Sequence, residues 1–264
     1  MLLTGSTGVI GRHFQGDASR FSYRHFLEGN LDLEKEKVEN SLLVHLGGMV
    51  GESNIRRDEE TAFRANVSGV GDLARHFFDR GGAVFFFAST GHVYGQTPLS
   101  GAPELSELDP QSVYAEQKIA AEELLSTVEV MEGQKVVILR IFSVLGASMP
   151  DHSLYGAIKR AVRGETKISN PDDIRDFLSP KQVALAIQDL CYARSKITQR
   201  VINVCTGIPT SVRDASIRLS ALHGHKLTED SFTGSTSNLP ILVGEPHRLN
   251  GLVDHEGVFW DPDC

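Results

Sequence analysis

Leu2-Leu3-Thr4-Gly5-Ser6-Thr7-Gly8-Val9-Ile10-Gly11 is a short apolar run that ends in a turn with three glycines at a G-x-x-G-x-x-G spacing. The apolar run predicts a strand, and Val9 to about Arg20 is expected to form the helix after it. In such a strand–turn–helix unit the first glycine permits a tight turn. The second lets the backbone approach a pyrophosphate, and the third lets helix and strand pack closely. A helix starting there offers free N–H groups and a positive dipole end to phosphates. Gly5, Thr7, Gly8, Val9, Ile10 and Gly11 are therefore candidate cofactor-binding residues. The motif alone is weak, and its position at the head of a strand–helix series raises its weight.

Downstream, Ser41-Leu-Leu-Val-His-Leu-Gly-Gly48, Ala83-Val-Phe-Phe-Phe-Ala-Ser-Thr90 and Val136 to Gly146 read as strands. Between them, Glu59 to about Asp79 carries Ala62, Val67, Val70, Leu73, Ala74 and Phe77 at helical spacing, and Tyr114 to about Val128 repeats the pattern. Uninterrupted apolar strands, each followed by a helix, predict a Rossmann-like α/β fold: a parallel sheet with helices on both faces. Beyond Gly146 the pattern changes to helices at 153–164, 179–194 and from Ser211, a strand at 201–207, and a loop-rich end from about Leu227. The expected division is a dinucleotide-binding domain, residues 1–146, its core completed by about 172–206. Residues 147–171 and 207–264 are expected to form a small C-terminal substrate lobe.

The chain has 264 residues, 41% of them hydrophobic, with a net charge of -8. An acidic surface without basic clusters argues against nucleic acid as a partner. No stretch approaches the ~18 apolar residues of a membrane span. The N-terminus lacks the basic lead and cleavage site of a signal peptide. Cys191, Cys205 and Cys264 are an odd, scattered set without disulfide or metal spacing, as expected of thiols in a reducing cytoplasm. No His, Asp and Cys cluster has the spacing of a metal site.

An acidic residue after the second strand binds a ribose 2′-hydroxyl and selects NAD, whereas an arginine accommodates the 2′-phosphate of NADP. The segment Phe21 to Leu33 offers Arg24 and His25 at its expected strand end, with Glu28 only later in the loop. That favours NADP, unless Arg24 is an ordinary solvated arginine.

Tyr114 and Lys118 stand four residues apart, on one face of a helix. A free tyrosine titrates near ~10, and a nearby ammonium favours its phenolate. Ser89 and Thr90 end a buried strand, where parallel sheets place their ligand crevice, and a hydroxyl there can hold a reacting oxygen beside Tyr114. Thr90 read as a turn residue bonding its own backbone is the blander possibility. His92, two residues on, is within reach of a substrate, although turn histidines are commonly exposed bystanders. His45 reads as a structural histidine at a strand end.

Taken in order, TGSTGVIG, GNLDL, VHLGG, ANVSGV, FFFASTGHVYG, SVYAEQK, RIFSVLG, IRDFLSPKQVA and VINVCTG resemble the extended short-chain dehydrogenases/reductases, within the nucleotide-sugar epimerase/dehydratase and 4-ketoreductase group. The resemblance implies a cytoplasmic NAD- or NADP-dependent enzyme, a nucleotide-sugar substrate, hydride transfer at C4, and a homodimer. By the same resemblance Asn30 and Leu31 flank the adenine, and Leu46, Gly47 and Gly48 underlie the cofactor. Asn66 ties the sheet near the site, Thr90, Tyr114 and Lys118 are the catalytic triad, and Arg175 contacts a diphosphate.

The departures from the group also inform. The Asp-Glu pair that follows the threonine in 4,6-dehydratases is Gly91-His92 here, which argues against dehydration. Ser143 replaces the usual asparagine after RIF, Leu145-Gly146-Ala147 replaces Tyr-Gly-Pro, and Gln182 replaces an aspartate. Arg248 is a poor match to the second diphosphate arginine. GDP-L-fucose synthases and dTDP-4-dehydrorhamnose reductases show a similar shortening near the second strand. An epimerase or ketoreductase is thus expected, with His92, Ser143 and Arg175 as substrate contacts. A reductase of non-sugar ketones and a non-catalytic NADP-binding sensor are the other possibilities.

Overall fold

The computed structural model describes residues 1–29, 37–147, 149–234 and 240–253. Six strands form one parallel sheet: β1 (Leu2–Thr4), β2 (Ser19–Arg20), β3 (Leu42–His45), β4 (Val84–Thr90), β5 (Lys135–Ile141) and β9 (Val201–Val204). Their order is β2-β1-β3-β4-β5-β9. Side chains alternate along a strand, so both faces must be apolar if both are covered. Leu3, Val44, Phe86, Val137 and Leu139 pack on one face, under Val183, Ile187 and Leu190 of α7 (Pro180–Tyr192). Leu2, Leu43, Phe85, Phe87 and Ile138 pack on the other, under α4 (Gly69–Asp79) and α5 (Val113–Ser126). This is the expected α/β architecture.

Local signals account for the main helices. Ser112 caps α5 by accepting from Ala115 N, and Ser179 with Gln182 forms a capping box at α7, with Pro180 in the first turn. The expected helix at 59–79 is helical throughout but changes pitch. α2 (Glu52–Arg57) precedes α3 (Glu59–Phe63), then a π turn at Arg64–Ser68, then α4.

Two expectations at the N-terminus need correction. Val9 to Arg20 is not an α-helix; the chain makes one 3-10 turn, Gly11–His13. Gly16, at φ 78°, and Asp17 disfavour helix continuation, and the chain turns back to bond Ser19 N to Met1 O as β2. The second strand therefore ends at Arg20, and Arg24 lies instead in α1 (Tyr23–Leu27), capped by Ser22.

The remaining elements build a smaller region. They are β6 (Ser143–Val144), α6 (Leu154–Val162), β7 (Ile168–Ser169), β8 (Ile174–Leu178), β10 (Pro209–Ser211), α8 (Val212–Leu222), β11 (Phe232–Thr233), β12 (Ile241–Leu242) and α9 (His247–Asn250), although Leu242 of β12 and Leu249 of α9 join the core of the main sheet. β8 pairs with β6, β10 and β12, and β7 pairs with β11. Ile158, Phe177, Leu219 and Phe232 belong to an apolar cluster of their own. Asp176, fully buried on β8, fixes the chain after β9 by accepting from Thr206 N and Oγ1, Gly207 N and Gly244 N at 2.7–3.3 Å.

Candidate active site

Strand order reverses at β1, with β2 on one side and β3 on the other. In such sheets ligands bind beyond the carboxyl ends of the strands at the reversal. Two clefts open there and share Gly5, Gly8, Leu46, Gly47, Gly48 and Met49 as a common wall. The wider, of ≈ 860 Å³, extends past Thr7, Arg20, Ser22, Arg24, Glu28 and Arg64. The inner, of ≈ 350 Å³, runs past Val9, Ile10, Gly11 and Asn66 to Thr90, Tyr114 and Lys118.

Two glycines of the first turn, Gly5 and Gly11, are sterically required. Gly5 sits at φ 67°, and a Cβ there would meet Leu46 C at 2.8 Å. A Cβ on Gly11 would collide with the Gly5 carbonyl. The chain thus presents bare backbone between two clefts, a cradle suited to a dinucleotide with one half on each side. The turn leads into a 3-10 turn and not an α-helix, so what it can offer a phosphate is loop backbone.

Thr4 and His45 fasten the floor. Thr4 Oγ1 accepts from Gly47 N at 3.2 Å and lies 2.8 Å from His45 Nδ1, to which it is placed to donate. The fully buried imidazole stacks near Phe87 and meets Tyr23 edge-on at 4.4 Å between ring centroids. Burial, with the Lys118 charge adding to it, pushes His45 down to about 3, so it is neutral. His45 is the structural residue its position suggested. Asn66, buried within the π turn, accepts from Met49 N and donates to Met49 O and Gln117 Oε1. It thereby joins the strand-end loop to α5. A π turn re-aims a side chain out of the regular helical register.

The three expected catalytic side chains line one cleft. Thr90 Oγ1 accepts from His92 N at 3.2 Å, which leaves its proton to be donated elsewhere. Among the described residues no group bonds the Tyr114 hydroxyl. Lys118, 5% exposed, donates to Ala88 O at 2.7 Å and lies 4.6 Å from the Phe87 ring centroid but 5.7 Å from that of Tyr114. Burial pulls Lys118 down to about 8, opposed by Glu122. The Tyr114 phenol is pushed up to about 12 by burial. The expectation that Lys118 lowers the phenol is therefore corrected: the ammonium points at a strand carbonyl, and desolvation outweighs it. Tyr114 is held as a neutral phenol, able to give a proton.

Other expected residues are less central. Arg24 is exposed on the wide cleft. Ser143 does not line the inner cleft, whereas Phe142 and Val144 do, because alternation along β6 turns Ser143 the other way. His92 keeps surface open to solvent although protein surrounds it, and burial together with the Arg175 charge depresses it to about 4. Arg175 is half-buried and already engaged: it donates to Asp173 Oδ2 at 2.9 Å and to the carbonyls of Ile174 and Pro240. Its charge is thus partly compensated by Asp173. Neither His92 nor Arg175 lines the two clefts. Asn30 and Leu31 lie outside the described residues. Arg20, Ser22, Arg64 and Met49 were not anticipated; Arg20 had a signal, as a cation beside the true strand end.

Among the described residues no helix is long and apolar enough to cross a membrane, and no group of three or more His, Cys, Asp or Glu is placed to hold a metal. Cys191 and Cys205 are buried, and burial raises both thiols. Cys264 lies outside the described residues.

The model of the NAD dependent epimerase/dehydratase family matches residues 15–205. Among curated proteins, GDP-6-deoxy-D-mannose reductase from Pseudomonas aeruginosa is 25% identical over 242 residues, 81% of this chain and 77% of its own. UDP-glucose 4-epimerase from Lacticaseibacillus casei is 30% identical over 156 residues, 58% of this chain and 45% of its own. Among solved structures, RMD from Pseudomonas aeruginosa complexed with NADPH superposes with a TM-score of 0.78 at 23% identity, over 99% of this chain and 93% of its own. MoeE5 in complex with UDP-glucuronic acid and NAD gives 0.74 at 21% identity, over 97% and 93%.

Proposed function

The chain belongs to the NAD dependent epimerase/dehydratase family as an NAD(P)-dependent enzyme of the extended short-chain dehydrogenase/reductase type, and from that premise we propose that it reduces a ketone, at C4, of a nucleotide-activated sugar with NADPH. The observation that carries this reading is the pairing of a neutral Tyr114 phenol with a Thr90 hydroxyl free to donate, both on one cleft. Such a pair suits a reaction that begins by protonating a carbonyl oxygen.

The nicotinamide, when bound, supplies the hydride to the carbonyl carbon. Thr90 donates a hydrogen bond to the carbonyl oxygen and orients it. Tyr114 gives that oxygen its proton as it becomes a hydroxyl, and regains one from solvent. Lys118, fixed on Ala88 O with its ammonium 5.7 Å from the Tyr114 ring centroid, keeps a positive charge near the phenolate left behind. Gly5, Gly8, Leu46, Gly47 and Gly48 would hold the cofactor between the two clefts. Among the described residues three arginines, Arg20, Arg24 and Arg64, and one carboxylate, Glu28, line the wide cleft, a balance that supports NADPH over NADH. We assign the sugar and its nucleotide to the smaller region, in which β8 and β6 join the described residues of the expected lobe.

Purified protein given NADPH and a nucleotide-linked 4-keto sugar should consume the two stoichiometrically, read by loss of nicotinamide absorbance. Turnover of a nucleotide sugar with no net change in that absorbance would instead mark an epimerase, the activity of the Lacticaseibacillus casei relative.

A further inference from the structure

A buried ion pair, Glu122 with Arg140, lies behind the cleft. Glu122 sits on α5 one turn beyond Lys118 and two beyond Tyr114, and is 7% exposed. Its Oε1 accepts from Ser89 Oγ at 2.5 Å, and its Oε2 accepts from Arg140 Nη2 at 2.7 Å, with Arg140 Nε at 3.2–3.3 Å from both oxygens. Arg140 in turn donates to Tyr94 Oη at 2.9 Å and Glu104 O at 3.1 Å, and Tyr94 donates to Asn203 Oδ1 at 2.8 Å. Ser89 is the residue before Thr90. One carboxylate therefore joins the helix that carries Tyr114 and Lys118 to the strand that carries Thr90.

We propose that Glu122 is the positioning residue of the triad: through Ser89 it sets Thr90 against Tyr114, and across one helical turn its negative charge faces the Lys118 ammonium. A hydrophobic residue at 122 would pack α5 as well, and burying an ion pair is a poor way to gain stability. The cost is explained if the charge serves Lys118. Burial drives that ammonium towards losing its proton, and Glu122 is the group that acts in the opposite sense. Tyr114 and Glu122 face Lys118 from its own helix, His45 from β3, and the Ala88 carbonyl and Phe87 ring from β4. Arg140 of β5 and Arg200 answer Glu122 from the far side.

This inference rests on the reading of Thr90, Tyr114 and Lys118 given above. It is tested first without any substrate, so an error in the sugar assignment leaves the test intact. The ¹³Cε resonance of Lys118, assigned by its loss in Lys118→Met, is titrated in the wild type and in Glu122→Gln. The glutamine keeps an acceptor for Ser89 and removes the charge. The Lys118 midpoint should fall by about one pH unit or more. With NADPH and substrate, kcat should fall about ten- to hundredfold with little change in KM, and the alkaline limb of its pH profile should move to lower pH. Glu122→Asp should restore part of both. An unmoved midpoint and alkaline limb in folded Glu122→Gln overturns the charge role.

The unpaired Arg140 could prevent Glu122→Gln from folding. Ser89→Ala, which leaves the ion pair intact, then decides. A severalfold loss of kcat at unchanged KM and unchanged Lys118 midpoint supports the positional role; wild-type kcat overturns it.

Discussion

Lys118 donates its proton to the carbonyl of Ala88, 2.7 Å away on the neighbouring strand, and not to Tyr114 four residues before it on the same helix. The phenol and the ammonium therefore act as separate groups in the free protein. Burial pushes one up to about 12 and the other down to about 8. Both shifts favour uncharged forms, as expected when desolvation dominates.

Tyr114→Phe removes the proton donor while leaving the ring. Activity should fall about 10²- to 10⁴-fold, with NADPH affinity within about twofold of wild type by fluorescence titration. A variant that keeps wild-type turnover would transfer the donor role to another group.

Lys118 makes stability pH-dependent with a definite sign. Its folded pKa, about 8, lies below the ordinary value of 10.5, so the unfolded chain binds more protons between those limits. Its contribution is thus fully present above pH 10.5 and is lost as the pH falls through about 8. The difference is about 3 kcal/mol at most. Urea midpoints of wild type against Lys118→Met should converge as the pH rises across that window.

His45 acts at the acid end. Its folded value of about 3 lies under the ordinary 6.5, so its contribution is present above pH 6.5 and is lost as the pH falls towards 3. Near pH 4 the loss should be about 3 kcal/mol. His45→Gln should unfold with a shallower acid dependence, followed by circular dichroism at fixed urea.

Arg24→Ala should weaken NADPH about tenfold and NADH by twofold or less, since one exposed charge–phosphate contact is worth about 1.4 kcal/mol. Raising the salt concentration should narrow the gap. Equal losses for both cofactors would place the 2′-phosphate elsewhere, Arg20 being the next candidate on the same cleft.

Acting on Gly11 tests the cradle itself. Gly11→Ala puts a methyl against the Gly5 carbonyl, so cofactor affinity should drop at least tenfold, with a loss of about 1–3 kcal/mol in stability measured by thermal unfolding.

Much of this was legible along the chain because the relevant forces are local or periodic. Phe85 and Phe87 face one layer and Phe86 the other, so an unbroken apolar run announced a strand covered on both sides. Ser112 and Ser179 marked helix starts by bonding backbone three residues on. Gly5, Gly11, Thr90, Tyr114 and Lys118 were identifiable because their spacing along strand ends and helix turns already implied a common crevice. The local failures lie in the stretch after Ile10. There a helix-like pattern yielded to Gly16 and to pairing of β2 with β1, a tertiary gain that propensity does not count.

What the sequence by itself determined, then, is the layered α/β frame and the membership of the cleft, since both follow from side-chain period and from hydroxyl, phenol and amine at set intervals. Only the tertiary structure decided the direction of Lys118, the withdrawal of Ser143, and the partners of Arg175. It also decided the meeting of Glu122 with Ser89 and Arg140, residues 33 and 18 positions away. Those outcomes depend on which face of α5 lies against which strand and on how much water is excluded there. Desolvation is a property of the packed whole, and it raises the Tyr114 phenol and lowers the Lys118 ammonium where the Tyr-x-x-x-Lys spacing alone suggested a mutual pair.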